Sequence, residues 1–182
     1  MTSDKIPSIE ECYKLMNRFD MLPNIKAHSE KVMTVSMSIF NNLKDQGDIN
    51  KNLIIAASLL HDITKTRAIK TKTGEQHDKT GGELLRGLGF VRIAKIVENH
   101  VHINNFHPDS ELNEIEIVCY ADKRVMHTEI VSVEKRIADI VIRYGKTPEK
   151  KEKILANKVF IYELEKKISS FMKIDINSLN YS

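Results

Sequence analysis

The stretch Leu53-Ile54-Ile55-Ala56-Ala57-Ser58-Leu59-Leu60-His61-Asp62 decides how this chain folds. As far as Leu60 only Ser58 interrupts the apolar run, so a helix here is apolar nearly all round and belongs in an interior. Its end carries an imidazole and a carboxylate into that interior. Burying either group is costly unless it is paired or bound to a metal. The chain has 182 residues, 41% of them hydrophobic. That is enough for one domain with a substantial core, since a chain of about 150 residues buries roughly 68 to 70% of its unfolded surface.

Working outward, the sequence reads as helical. It holds 7 Gly and 4 Pro, too few turn residues for a many-stranded protein. Apolar periodicity predicts helices over 8–21, 24–44, 50–62, 77–88, 91–100, 112–126, 132–144 and 148–172. Thr147 before Pro148 and Glu149 reads as an N-cap with proline at the first helical position, and Gly47, Gly89 and Gly145 fall where helices stop. The expectation is an all-α, single-domain helical bundle over residues 1–182. Residues 147–172 form a C-terminal helix packed on it through Ile154, Ile161, Leu164, Ile168 and Phe171.

Composition excludes several classes. The 28 Lys+Arg and 25 Asp+Glu leave a net charge of +3, and the two signs are intermixed, so no basic stripe argues for a dedicated nucleic-acid binder. Cys12 and Cys119 make neither a CxxC pair nor a disulfide framework, which points to a reducing, cytoplasmic setting. The longest apolar run falls far short of the roughly 20 residues that cross a bilayer, and residues 1–11 lack the regions of a signal peptide. The expectation is a cytoplasmic protein with no membrane partner.

A His-Asp dipeptide alone is a weak signal, so the question is whether other ligand-type side chains share core-facing stripes. His28 lines up with Ile25, Val32, Val35 and Ile39, and His77 with Leu84, Leu85 and Leu88. His100 lines up with Ile93, Ile96 and Val97, and Asp122 with Ile115, Val118, Cys119, Val125 and Met126. Any one of these histidines fits a hydrogen-bonded core residue. Asp122 is different, because Lys123 and Arg124 point around the helix from it, leaving a metal or a more distant cation as its partner. Taken together, the six favour a metal site.

The order His28, then His61-Asp62, then Asp122 resembles the motif of the HD-domain metal-dependent phosphohydrolases. Asn24-Ile25-Lys26-Ala27-His28-Ser29-Glu30-Lys31-Val32 is similar to that family's first-histidine helix, Leu59-Leu60-His61-Asp62-Ile63-Thr64-Lys65 to its central signature, and Tyr120-Ala121-Asp122-Lys123 to its last ligand. Glu75-Gln76-His77 with Gly81-Gly82-Glu83-Leu84-Leu85, and Glu98-Asn99-His100, resemble the two further histidine segments of its two-metal subgroups. Thr64 stands where many relatives have glycine. Val101-His102-Ile103-Asn104-Asn105-Phe106 replaces the paired histidine and Gly-Tyr-Pro signature of the cyclic-dinucleotide phosphodiesterases, which counts against that subgroup.

The resemblance implies that His28, His61, Asp62 and Asp122 hold one ion, and that His77, His100 and a bridging Asp62 hold a second. Nitrogen and oxygen donors suit one or two divalent ions among Mn, Fe, Co, Ni, Zn and Mg. The implied reaction is hydrolysis of a phosphoester or phosphoanhydride of a nucleotide or other small anionic phosphorylated substrate by metal-activated water. Asp62 and Lys65 are then the catalytic candidates, Lys65 through phosphate binding and charge stabilisation. Arg67 and His102 are expected at the substrate entrance, with Lys70, Lys72, Lys123 and Arg124 adding positive potential around it. His127 and Arg136 read as structural. Two other functions remain open: a di-iron oxygenase, and a non-catalytic sensor or interaction module whose metal serves folding.

Overall fold

The computed structural model describes residues 5–71, 76–179 and 181. Its helices are α1 (Ile9–Arg18), α2 (Pro23–Asn41), α3 (Lys51–Leu60), α4 (Lys65–Thr71), α5 (His77–Gly87), α6 (Val91–Val97), α7 (Glu114–Lys123), α8 (Val133–Tyr144) and α9 (Pro148–Phe171). Side chains start several of them by satisfying free backbone amides. Ser8 Oγ accepts from Glu11 N at 3.2 Å while Glu11 Oε2 accepts from Ser8 N at 2.7 Å, a capping box that opens α1. Asn113 and Glu116 make the same reciprocal pair ahead of α7. Asn50 caps α3, and Thr147 with Pro148 opens α9.

α3 sits at the centre. Leu53, Ile54, Ala56, Ala57, Ser58, Leu59 and Leu60 are all buried, as an apolar helix requires, and α1, α2, α6 and α7 pack around it. The only hydroxyl in the stretch, Ser58 Oγ, is satisfied at 3.1 Å by Ser36 Oγ of α2. α5 covers α6, and the α8–α9 hairpin lies against α7. The all-α expectation holds, with a two-stranded antiparallel hairpin as the small exception, β1 (Val125–Met126) and β2 (Glu129–Ile130), pairing Val125 with Ile130 and Met126 with Glu129. Among the described residues, no helix is long and apolar enough to cross a membrane.

The differences from expectation have local causes. The helix expected over 112–126 ends at Lys123, because Val125 and Met126 are taken into the hairpin, whose turn residue His127 has φ 57°. α4 forms where the apolar periodicity predicts no helix. It follows His61–Asp62 through a turn in which Lys65 N donates to Asp62 O at 2.9 Å, and Thr66 is its one buried side chain, so it carries no apolar stripe to announce it.

α9 is tied down by an ion pair that the sequence did not advertise. Lys167 Nζ donates to Glu116 Oε1 at 2.7 Å, Ser110 Oγ at 2.8 Å and His107 O at 2.9 Å, and both charged side chains are buried. One ammonium thus joins α9, α7 and the loop before α7. Removing one partner of such a pair strands the other charge, so Lys167→Ala is expected to lower the unfolding free energy in urea by about 3–5 kcal/mol. The double variant Lys167→Met/Glu116→Gln should recover most of that loss.

Candidate metal centre

Four of the candidate ligands come to the centre from three elements. α2 supplies His28 from its inner face, α3 ends by delivering His61 and Asp62, and α7 supplies Asp122 in its last turn. His77 is the first residue of α5, and His100 follows α6. His61 and Asp62 are fully buried, and His28, His100 and Asp122 nearly so, whereas the His77 side chain is 26% exposed.

The two oxygens of Asp62 face different imidazoles. Oδ2 lies 3.4 Å from His61 Nε2 and 4.0 Å from His28 Nε2, while Oδ1 lies 3.2 Å from His77 Nε2 and 3.7 Å from His100 Nε2. Asp122 Oδ1 closes the first set, 3.0 Å from His28 Nε2 and 3.7 Å from His61 Nε2. Two triads, His28–His61–Asp122 and His61–Asp62–His100, each offer ligand atoms within 4.8 Å of one another. The rings stand in a row, tilted or edge-on to one another, His28 to His61 at 5.4 Å, His61 to His100 at 4.9 Å and His100 to His77 at 5.2 Å between centroids.

Three of the imidazoles are aimed by backbone carbonyls. His61 Nδ1 donates to Ser58 O at 2.8 Å, His100 Nδ1 to Val97 O at 2.7 Å, and His28 Nδ1 to His127 O at 3.0 Å. With the proton on Nδ1, each Nε2 presents its lone pair to the cluster, the arrangement that fixes a metal-ligating histidine. His61 Nε2 and Asp62 Oδ1 are buried without a hydrogen-bond partner among the described residues. Buried atoms of this kind call for one. A divalent cation fits both.

The electrostatics agree. Burial pushes the Asp62 carboxyl upward, but the imidazoles around it, His61 foremost, and the Lys65 ammonium outweigh it and hold Asp62 well below the usual carboxylate range. Asp122 behaves likewise, burial being overcome by Lys123 and His28. Burial drives His100 down to about 4, so it stays neutral and able to ligate. Both carboxylates are anionic at neutral pH, inside a shell where isolated anions would be expelled.

Residues 25–126 match the family model of the HD domain, a span that contains all six clustered side chains. The chain belongs to the HD-domain family. A similar solved structure is a predicted HD superfamily hydrolase from an uncultured Thermotogales bacterium, with 19% identity, 92% of this chain and 95% of that one covered, and a TM-score of 0.50. No curated protein sequence matches.

Around this HD-type cluster, several residues lie elsewhere than the sequence led one to expect. Lys123 is buried, its Nζ donating to Asp122 Oδ2 at 2.7 Å and to His100 O at 3.1 Å, so Asp122 has a cation beside it and Lys123 holds two parts of the cluster in place. Arg124 turns the other way, to Tyr120 Oη at 2.7 Å and Val131 O at 2.8 Å. Arg67 is exposed on α4 and lines neither cavity beside the cluster. His102 is exposed and its ring rests 5.6 Å from that of Phe160 on α9, which takes it out of the entrance. Lys72 and Glu75 lie outside the described residues. Lys65 does line both cavities, and its Nζ donates to Asp62 Oδ2 at 2.6 Å. Arg136, expected to be structural, and Tyr144 of α8 line both as well, and Arg143 lines the smaller one. The spacing of Arg136, Asp139 and Arg143 by three, four and seven residues, which places them on one helix face, was the available signal.

If Asp62 serves both sets of imidazoles, its loss must affect both. Purified Asp62→Asn protein is expected to carry no divalent metal by elemental analysis. His28→Ala, which strips one set, should retain metal on the side of His77 and His100.

Proposed function

We propose that this HD-domain protein is a metal-dependent phosphohydrolase acting on a phosphoester or phosphoanhydride of a nucleotide or similar small phosphorylated molecule. The observation that carries this reading is the split of Asp62, one carboxylate oxygen toward His28 and His61 and the other toward His77 and His100, at the floor of a cleft bordered by Lys65 and two arginines. Divalent ions held by His28, His61, Asp62 and Asp122, and by Asp62, His77 and His100, would supply an acidified water and a clamp on the attacking and leaving oxygens. The hydrolase description of the Thermotogales relative is in keeping with this.

The chain's own groups supply the rest. Lys65, 29% exposed at its side chain, keeps its proton: burial would strip it, but the charges of Asp62 and Asp122 overrule burial and raise its pKa. A permanently cationic ammonium at the cleft favours a dianionic phosphoryl group over a neutral carbonyl or an oxygen molecule. The Nδ1–carbonyl bonds hold His28, His61 and His100 in fixed tautomers, so the imidazoles serve as ligands rather than proton shuttles. His77, the most accessible of the four, borders the wider part of the cleft, on the side where substrate enters.

The test is phosphate release from a panel of nucleotides and other small phosphoesters with each of Mn, Fe, Co, Ni, Zn and Mg. Release should disappear on adding EDTA. Lys65→Ala is expected to lower kcat by about 10²–10³-fold, the cost of removing one transition-state donor. Oxygen uptake by the iron form, with no phosphate released from any compound, would replace hydrolysis with oxygenase chemistry.

A further inference from the structure

α8 places two arginines over the cluster with only one acid between them. Asp139 Oδ2 accepts from Arg136 Nη1 at 2.9 Å and also from Arg143 Nη2. Arg136 is buried, and its Nε, like that of Arg143, is buried without a partner among the described residues. A buried guanidinium with an unused donor is a costly feature for a structural residue. It is useful where an oxyanion will arrive, because the guanidinium fork matches the two oxygens of a phosphate or carboxylate.

The cleft tells where that oxyanion would sit. Its narrow lobe, about 180 Å³, is bordered by Asn24, His28, Asp62, Lys65, Arg136 and Arg143. Its wider lobe, about 380 Å³, shares Lys65 and Arg136, reaches the cluster at His77, His100 and Asp122, and is otherwise walled by Ala68, Ile69, Val101, Ile140 and Tyr144. Lys65, Ile69, Arg136 and Tyr144 border both lobes. The narrow lobe is polar and cationic, and the wider one, away from the cluster, is mostly apolar with an aromatic face.

We infer that Arg136 and Arg143, held by Asp139, form a specificity clamp for a second oxyanion of the substrate, phosphoryl or carboxylate, beyond the phosphoryl group that reacts. The wider lobe takes the substrate's apolar or aromatic part against Tyr144. Asp139 offsets one of the two positive charges, so the free clamp keeps a net charge of one cation and accepts one anionic group without stranding an arginine. Residues 25–126 carry the family's match, and the clamp lies beyond them on α8, so the chemistry belongs to the shared part and the choice of substrate to this helix. This assignment rests on the hydrolytic reading above for what reacts, but not for what binds.

The experiment is calorimetric titration of the metal-loaded protein with methylphosphonate, methylenediphosphonate and phosphonoacetate, none of which can be hydrolysed. Wild type is expected to bind at least one of the two probes with a second anionic group about tenfold or more tightly than methylphosphonate, as one good charge-assisted contact provides. Whichever of the two binds more tightly identifies the second group as phosphoryl or carboxylate. Arg143→Gln, at a side chain 36% exposed and so tolerant of exchange, should erase that preference, as should Arg136→Gln provided it melts cooperatively. Methylphosphonate affinity should stay within about threefold, because that ligand reaches only the cluster and Lys65. Equal binding of all three probes by wild type, or a preference that survives in Arg143→Gln and Arg136→Gln, overturns the clamp. Phosphate release without any such preference would refute the clamp and spare the hydrolytic reading. The preference without phosphate release from any compound would do the reverse.

Discussion

A carboxylate with no exposed surface, Asp62, has one oxygen turned to each of two groups of imidazoles, and the rest of the molecule is arranged so that this can persist. An ionised carboxylate in an apolar interior is untenable alone. Here it is sustained by Lys65 at 2.6 Å and faced by four imidazoles, with Oδ1 left, among the described residues, without a hydrogen-bond partner for a cation to replace. The apolar character of α3 follows from the same requirement. Only a helix packed on all sides, by α1, α2, α6 and α7, brings its last residues to the middle of the fold. The other elements can then each contribute one ligand from an inner face.

Those ligands are aimed by peptide carbonyls, which ties the cluster's geometry to the backbone. Ser58 O and Val97 O belong to the final turns of α3 and α6, where carbonyls are left without intrahelical partners, and the imidazole three residues on takes up each one. His28 has no such turn at hand and instead uses His127 O, carried by a hairpin turn in the left-handed region at φ 57°. That conformation is uncommon for a residue with a side chain. The short hairpin between α7 and α8 thus has a use besides reversing the chain: it orients the first ligand from outside the helical core.

Much of this was legible in sequence because helical periodicity exposes polar residues on apolar faces. His28, His100 and Asp122 interrupt stripes of Ile, Val and Leu, and a misplaced polar residue repeated on several helices is hard to reconcile with a plain core. What stayed hidden has a common physical cause. The carbonyls that aim the imidazoles have no side-chain signature, α4 has no apolar stripe, and Lys123 reads as a surface lysine although its stem folds back to bring Nζ against Asp122 and His100 O. Arg67 and His102 lie close in sequence to His61 and His100, yet neither lines the cavities beside the cluster. Distance along the chain says little about position once a helix has turned the side chain outward.

The same reasoning separates two kinds of arginine on the far half of the molecule. Arg124 is saturated: Tyr120 Oη and Val131 O accept from it, and its ring contact with Tyr120 and its proximity to Glu165 leave it anchoring α7 to α9. Arg136 is equally buried, yet it shares its single acid with Arg143 and keeps Nε unused. If burial of charge served stability alone, the second arrangement would resemble the first, because an unmatched donor costs folding free energy with no return. The contrast between two buried arginines in one chain is therefore the physical ground for proposing that α8 meets the substrate, whereas Arg124 at the end of α7 helps hold the fold together.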